Sequence, residues 1–372
     1  MLLLVAGTRP NFMKIAPVLH ALRRRSVPAR WLHTGQHAGA AMSEVFFADL
    51  DLAPPDVALP STSGTAAEQT AAVLVGVERE LSRSRPDAVV VVGDVTSTLS
   101  AALAAAKLGV PVAHIESGLR ARDWTMPEEI NRVLTDQLAD LCLTSTRDAA
   151  PNLRAEGVPE ERIRFSGNVM VDSLHAARSR PTVIVDALGL MPGGFALLTL
   201  HRPANVDSRA AFEHTLAAIE ALSTRLFTVF PVHPRTLSRA RELGLAERLR
   251  SIPQLLLVDP LGHRDFVTLL ASALLVATDS GGVQEETTAL GVPCLTLRGG
   301  TERPITVDEG TNTIVGLDPS RIGLEVDAII AGEGKRGRLP EGWDGHAADR
   351  IAEALVDLLE GRPAPRTAGP RA

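Results

Sequence analysis

Thr278-Asp279-Ser280-Gly281-Gly282-Val283-Gln284-Glu285-Glu286 follows the apolar run 273–277 and leads into 287–290. An apolar run that breaks at Ser-Gly-Gly and resumes with helical character reads as a strand, a tight turn and a helix N-terminus. There the free backbone N–H groups and the helix dipole attract an anion such as phosphate. Paired glycines let the backbone approach a diphosphate closely. A carboxylate one turn further on, Glu285 or Glu286, can accept hydrogen bonds from a ribose 2′/3′ diol. Both halves of a nucleotide fit. The blander account is a glycine turn and a surface helix with two solvated glutamates. It loses ground because the rest of the chain repeats the same unit.

Working outward, short β-branched runs alternate with longer Ala- and Leu-rich segments, the pattern of βα units on a parallel sheet. The first half offers strands over 2–6, 30–34, 88–92, 111–115, 141–144 and 163–166, with helices over 13–25, 66–82, 98–108, 130–139 and 148–156. The Pro-, Ser- and Thr-rich segment 54–65 reads as a loop. A second series has strands over 196–200, 226–232, 255–258, 274–278, 293–297 and 313–315, followed by a helical apolar stripe at Ile351, Leu355, Leu358 and Leu359. The expected fold class is α/β, with two doubly wound Rossmann-like domains. The expected boundaries are 1–172 for the first domain, 173–192 for a connection of low regularity, 193–346 for the second domain, and 347–361 for a closing helix. Such sheets bind ligands beyond the carboxyl ends of their strands, and two facing sheets make a cleft.

Composition narrows the function. A chain of 372 residues exceeds one ordinary core, and a hydrophobic fraction of 45% fills two. A net charge of −6 leaves no basic surplus for nucleic acid, so an anionic ligand must be met by locally placed cations. Two cysteines far apart in sequence, Cys142 and Cys294, argue against a disulfide framework or a zinc site. The opening apolar run 2–6 is too short for a membrane span and lacks the flanks of a leader, which points to a cytoplasmic protein without membrane attachment. Gly332-Glu333-Gly334-Lys335-Arg336-Gly337 matches the dinucleotide pattern G-x-G-x-x-G, but the Pro340 that follows cannot open a helix, so it is rejected as a nicotinamide site.

Polar residues gather where the expected strands end. After the first comes Gly7-Thr8-Arg9-Pro10, with Lys14 a turn into the helix; after the second comes Gly35-Gln36-His37. The third runs into Gly93-Asp94, the fourth into His114-Ile115-Glu116-Ser117-Gly118, and Pro127-Glu128-Glu129 opens a helix. Acids at a helix start often only favour the dipole. Asp94, Glu116 and one of Glu128 or Glu129 in one cleft are different, because repulsion and partial burial push carboxylate pKa values apart and separate an acid from a base. In the second half, His201-Arg202-Pro203 and His233-Pro234-Arg235 repeat a strand–His–x–Pro logic. His201 is placed to stabilise leaving phosphoryl oxygens, Arg303 supplies another cation, and Phe266 is either a base-stacking ring or core.

These residues are specific enough to name a family. GTRPNFMKIAP (7–17), TGQH (34–37), VVGDVTST (91–98), HIESGLR (114–120), MPEEINR (126–132), GNVMVD (167–172), TLHRP (199–203), PVHPRT (231–236), TDSGGVQEE (278–286) and TERP (301–304) occur in order over residues 1 to 360. With them the chain closely resembles the non-hydrolysing UDP-N-acetylglucosamine 2-epimerases. The resemblance implies the glycosyltransferase B-type architecture, with the active site in the interdomain cleft and the last helix crossing back to the first domain. It implies interconversion of UDP-GlcNAc and UDP-ManNAc without cofactor or metal, by anti elimination of UDP to 2-acetamidoglucal and its return. Loss of the diphosphate builds positive charge at C1, which acidifies C2–H and is favoured by nearby carboxylates.

Carried over position by position, the implied catalytic residues are Asp94, Glu116, Glu128 and His201. The implied UDP contacts are Arg9, Lys14, His233, Phe266, Ser280, Gly281, Gly282, Glu286 and Arg303. A homodimer is implied as well. Many bacterial members continue Gln-His with Arg and a second Gln, which help hold an allosteric UDP-GlcNAc. Here the run is Gln36-His37-Ala38-Gly39-Ala40, a departure that argues against that site. The sugar-pocket residues leave open an epimerase of the same family acting on a decorated sugar such as a diacetamido-uronic acid, or a hydrolysing 2-epimerase. Of another class, a B-type glycosyltransferase would need an acceptor groove and gives the carboxylate trio no role. A catalytically dead sensor would not keep these acids and His201.

Overall fold

The computed structural model describes residues 1–36, 47–61, 63–200 and 202–361. Two compact units emerge: Met1–Ser173 together with the chain from Glu341 onward, and Leu174–Pro340. The first unit's described strands are β1 (Leu2–Ala6), β2 (Ala29–His33), β3 (Val57–Ala58), β4 (Ala88–Val92), β5 (Val112–Ser117), β6 (Leu141–Thr144) and β7 (Ile163–Phe165). They form a parallel sheet in the order β3-β2-β1-β4-β5-β6-β7.

Alternation along β1 explains the run of apolar residues. Leu2, Leu4 and Ala6 enter one core with Val90, Val92, Ile115 and the helices Arg9–Arg24 and Ala347–Glu360. Leu3 and Val5 enter another with Val89, Val91, Val77 and Ala105, under the helices Ala66–Ser84 and Thr96–Lys107. A sheet covered on both faces needs apolar side chains at every position, each fully buried one contributing roughly 1.5–3 kcal/mol.

The second unit repeats the plan with β8 (Ala196–Thr199), β9 (Thr228–Pro231), β10 (Leu255–Val258), β11 (Leu275–Thr278), β12 (Cys294–Thr296) and β13 (Asn312–Ile314). Their order is β10-β9-β8-β11-β12-β13, again parallel. Ala196, Leu198 and Ala277 face one core and Leu197, Val229 and Val276 the other. The expected α/β class with two doubly wound sheets is what the chain forms. In each sheet the strand order reverses beside the first strand, between β1 and β4 and between β8 and β11, which is where such sheets take ligands.

Some elements differ from expectation. The first helix begins at Arg9, four residues before the expected start at 13, because Pro10 suits the first turn and Asn11 acts as a cap. Its side-chain oxygen accepts hydrogen bonds from the Gly7 and Thr8 N–H groups, each at 3.2 Å. The two-residue β3 lies inside the segment 54–65 read as a loop; only its pairing with Leu32 and His33 makes it a strand. Within 169–192, where low regularity was expected, Val169–Arg178 is helical.

After the second unit the chain returns to the first. Trp343 is fully buried and its Nε1–H donates to the Ser145 carbonyl at 3.2 Å. The helix Ala347–Glu360 packs against Arg9–Arg24. Its first turn is capped by the Asp172 carboxylate, which accepts from the Ala347 and Ala348 N–H groups at 3.2 and 2.8 Å. No described helix is long and apolar enough to cross a membrane.

Candidate functional site

In the first unit the candidate groups sit at the carboxyl ends of β1, β4 and β5. Glu116 ends β5 at a register irregularity and has φ +72°, a left-handed backbone that a residue with a Cβ adopts only when its surroundings impose it. Its Oε2 is ion-paired to Nζ of Lys14, and both side chains are buried. Lys14 reaches it from the helix that starts at Arg9, so β1 and β5 are joined across β4. Arg9 opens that helix half-buried, and burial lowers its pKa from the usual value.

Asp94 follows β4 and remains partly exposed. Its carboxylate is bonded by Arg132 and its carbonyl accepts from Asn131 Nδ2 at 2.9 Å. Both partners lie on the helix Pro127–Leu138, whose first turn carries Glu128 and Glu129. The structure separates those two acids. Glu129 is buried, accepts from the Ala121 and Arg122 N–H groups at 2.9 and 2.8 Å, and is ion-paired with Arg132 at 2.6 Å, so it shapes the loop before the helix. Glu128 is half-buried and makes no such bonds among the described residues. Asp94, Glu116 and Lys14 are thus held at the switch point, and Glu128 sits on the helix tied to Asp94.

The second unit places Ser280 as N-cap of the helix Gly281–Leu290, directly after β11. Gly281 is forced by space: a Cβ there would collide with the Arg303 guanidinium and the Glu302 carboxylate. Glu302 is buried among three guanidiniums, with Arg303 at 2.7 Å, Arg298 at 2.8 Å and Arg202 at 3.3 Å. Burial alone would raise its pKa; the charges of Arg303, Arg298 and Arg202 outweigh that and hold it well below the carboxylate range. Arg303 also pairs with Glu285 at 3.0 Å.

Glu286 is in another situation. It is buried, and that burial, with the Glu285 charge adding to it, pushes its pKa up to about 8. No guanidinium lowers it. Asp279, fully buried, ties β11 to the segment after β8, accepting from the Arg202 N–H at 2.9 Å and Asn205 Nδ2 at 3.0 Å. Phe266 is half-buried against the core that contains Phe195 and Leu270. His233 is exposed and N-caps the helix Pro234–Glu242, its Nδ1 accepting from the Arg235 N–H at 3.2 Å. His201 and the run 37–40 after Gln36 lie outside the described residues. Gly332–Gly337 is followed by no helix: the Lys335 ammonium instead donates to the Val307 and Asn312 carbonyls.

Sequence reading missed Arg202, Arg298, Glu302, Asp279 and Arg132. Glu302 was visible in TERP and Asp279 in TDSGG; Arg298 and Arg303 are sequence neighbours of Glu302, but Arg202 and Asn205, which reach Glu302 and Asp279, come from a distant segment. Nothing in the run Leu297-Arg298-Gly299 marks Arg298 as part of a buried cluster.

Comparison with known proteins then gives the following. Residues 20–356 match the family model described as UDP-N-acetylglucosamine 2-epimerase. The UDP-N-acetylglucosamine 2-epimerase of Methanocaldococcus jannaschii is 37% identical over 368 residues, covering 95% of this chain and 98% of that protein. The UDP-2,3-diacetamido-2,3-dideoxy-D-glucuronate 2-epimerase of Pseudomonas aeruginosa is 38% identical over 366 residues, covering 96% of this chain and 99% of that one. The crystal structure of the Methanocaldococcus enzyme in complex with UDP-GlcNAc and UDP superposes with a TM-score of 0.88, at 37% identity over 95% of this chain and 99% of that chain.

Proposed function

Since this chain belongs to the UDP-N-acetylglucosamine 2-epimerase family, we propose that it interconverts UDP-GlcNAc and UDP-ManNAc by inverting the sugar at C2. The route is anti elimination of UDP to 2-acetamidoglucal, followed by re-addition with the proton delivered to the other face. Asp94, Glu116 and Glu128 are the acid–base groups and His201 assists the leaving diphosphate. The observation that carries this reading is Glu116, held in left-handed backbone and paired with Lys14 at the switch point beside Asp94. Strain of this kind, of order 1–3 kcal/mol, persists where the surroundings over-determine it, commonly at active sites. Glu116, Asp94 and Glu128 supply the carboxyl groups that exchange a proton at C2 and face the positive charge that develops at C1.

UDP contacts are assigned to Ser280, Gly281, Gly282, Glu286, Arg303, Phe266 and His233, with Arg9 and Lys14 from the first unit. Glu286 supports the assignment: a buried carboxylate with a raised pKa gains most from hydroxyl donors such as a ribose diol. No redox cofactor or metal enters this chemistry. We assign the protein to the cytoplasm as a homodimer; exposed Trp124, Ile130 and Leu134 offer an apolar face for the partner.

The test is proton NMR of the protein with UDP-GlcNAc alone in D₂O. Deuterium at C2 together with UDP-ManNAc is expected; release of free ManNAc would overturn the non-hydrolysing reading. The Pseudomonas relative favours a second reading, a diacetamido-uronic acid as the sugar. It would be adopted if UDP-GlcNAc stayed unchanged while that substrate exchanged its C2 proton.

A further inference from the structure

Beneath the carboxylates lies a buried polar network that the reaction as proposed does not use. His114, on β5, is fully buried, and each ring nitrogen meets an oxygen. Nε2 is 2.8 Å from the Gly93 carbonyl and Nδ1 is 2.6 Å from Asp136 Oδ1. A carbonyl only accepts, so Nε2 carries a hydrogen. Asp136, buried on the helix Pro127–Leu138, accepts from the Gly118 N–H at 3.1 Å and pairs with Arg120 at 2.7 Å. Burial alone would raise its pKa, but His114 and Arg120 outweigh that and lower it. Arg120 is anchored in turn by Glu156, its Nε donating at 2.7 Å. On the strand itself, Ser117 Oγ donates to the His114 carbonyl at 2.7 Å.

Each end of this network stops one or two residues from a candidate acid. Gly93 precedes Asp94, and its N–H donates to the Ile115 carbonyl at 3.1 Å. Ser117 and Gly118 follow Glu116. The same helix that carries Asp136 carries Asn131 and Arg132, the partners of Asp94. We propose that His114, with Asp136, is a positioning residue that fixes the turn at Gly93-Asp94 against the strained end of β5, and so sets the spacing of the Asp94 and Glu116 carboxylates. The assignment rests on the proposed roles of those two acids. Both ring nitrogens of the buried His114 are bonded, so one rigid ring holds the Gly93 carbonyl and the Asp136 carboxylate at a fixed separation.

The test uses two variants that each keep one contact. In His114→Gln the amide reaches the Nε2 position and can still donate to Gly93; in His114→Asn it reaches only the Nδ1 position, toward Asp136. Epimerisation kinetics and UDP binding are measured for both in the full-length protein. Misplacing reacting groups by about an ångström costs about 10²-fold in turnover, so His114→Asn is expected to lower kcat by about that factor, with KM and UDP affinity within about threefold of wild type. His114→Gln should recover about tenfold of the loss. An Asn variant with near-normal kcat, a parallel loss of UDP affinity, or no advantage of Gln over Asn would overturn the assignment. Where a variant fails to fold, the wild type labelled with ¹⁵N-histidine decides. A slowly exchanging Nε2–H coupled to the Gly93 carbonyl after β4 is expected, and an Nε2 of acceptor type would overturn the inference. A wild type that exchanges no C2 proton with any UDP-sugar would defeat the proposed function instead, while the NMR readout would still stand.

Discussion

The first unit's polar site and the second unit's are built on opposite plans. In the first, every buried charge is matched: Lys14 with Glu116, Arg132 with Glu129 and Asp94, and Arg120 with Asp136. In the second, three arginines crowd Glu302, while Glu286 on the helix Gly281–Leu290 is buried beside Glu285, which pairs with Arg303. Matched charges give a geometry that exists before substrate arrives, which suits groups that must move protons over short distances. Unmatched ones give a site whose electrostatics are completed by what binds. The first unit therefore resembles a finished instrument, the second a socket.

The sharpest way to break this contrast is Glu116→Gln. It leaves the Lys14 ammonium facing an amide and is expected to lower turnover by about 10²–10⁴-fold, with UDP still bound. Steady-state epimerisation and calorimetric UDP titration check it, and Asp94→Asn and Glu128→Gln should follow the same split. Normal turnover in any of the three removes that residue from the chemistry.

Glu302→Gln attacks the crowded side. Removing one partner from a buried ion pair costs about 3–5 kcal/mol, and here Arg298 and Arg202 lose their Glu302 counter-charge while Arg303 keeps Glu285, so urea denaturation should show a loss of that order. A change near zero would mean that solvent already screens the cluster.

Glu286→Gln tests the socket by moving affinity and stability in opposite directions. Losing a charge-assisted hydrogen bond should weaken UDP binding by about 10- to 100-fold. Stability should improve with rising pH relative to wild type. An acid whose folded pKa is raised binds more protons folded than unfolded. Its contribution is therefore full below the unfolded value and declines as pH rises toward about 8. Melting curves from pH 5 to 9 should show wild type declining relative to the variant across that window; parallel curves would contradict the buried, unmatched state.

The smallest effect belongs to Asp172→Ala, which removes the cap on the helix Ala347–Glu360 and should cost about 0.5–2 kcal/mol. Burial pushes the Asp172 pKa up to about 6, so by the same sign the gap should be widest below about pH 4 and narrow as the pH rises through about 6.

Much of this was legible because parallel strands covered on both faces write themselves as apolar runs, as at Ala88–Val92 and Leu255–Val258, both expected at those bounds. The placing of Asp94 and Glu116 at strand ends follows from the same runs. Spacing left Glu128 and Glu129 open, and only the resemblance implied Glu128; that Glu129 spends both oxygens on the backbone of residues 121 and 122 is a contact no spacing rule encodes. The arginine cluster was half hidden for a related reason: Arg202 joins Arg298 and Arg303 around Glu302 only once β8 and β12 lie on either side of β11. The left-handed turn at Glu116 was invisible because glutamate does not announce that conformation as glycine does.

The return of the chain to the first unit after residue 340 bears on how the protein is made. The second unit is a continuous stretch, complete once Pro340 has left the ribosome, whereas the first still lacks Trp343 and the helix Ala347–Glu360 at that point. Domains ordinarily fold in the order they are translated. Here the inserted unit can finish first, and the half that bears the candidate acids closes only after it. A nascent chain stalled before residue 341 would carry a completed second unit and a first unit without its closing helix, so the candidate acids would sit in the half left unfinished.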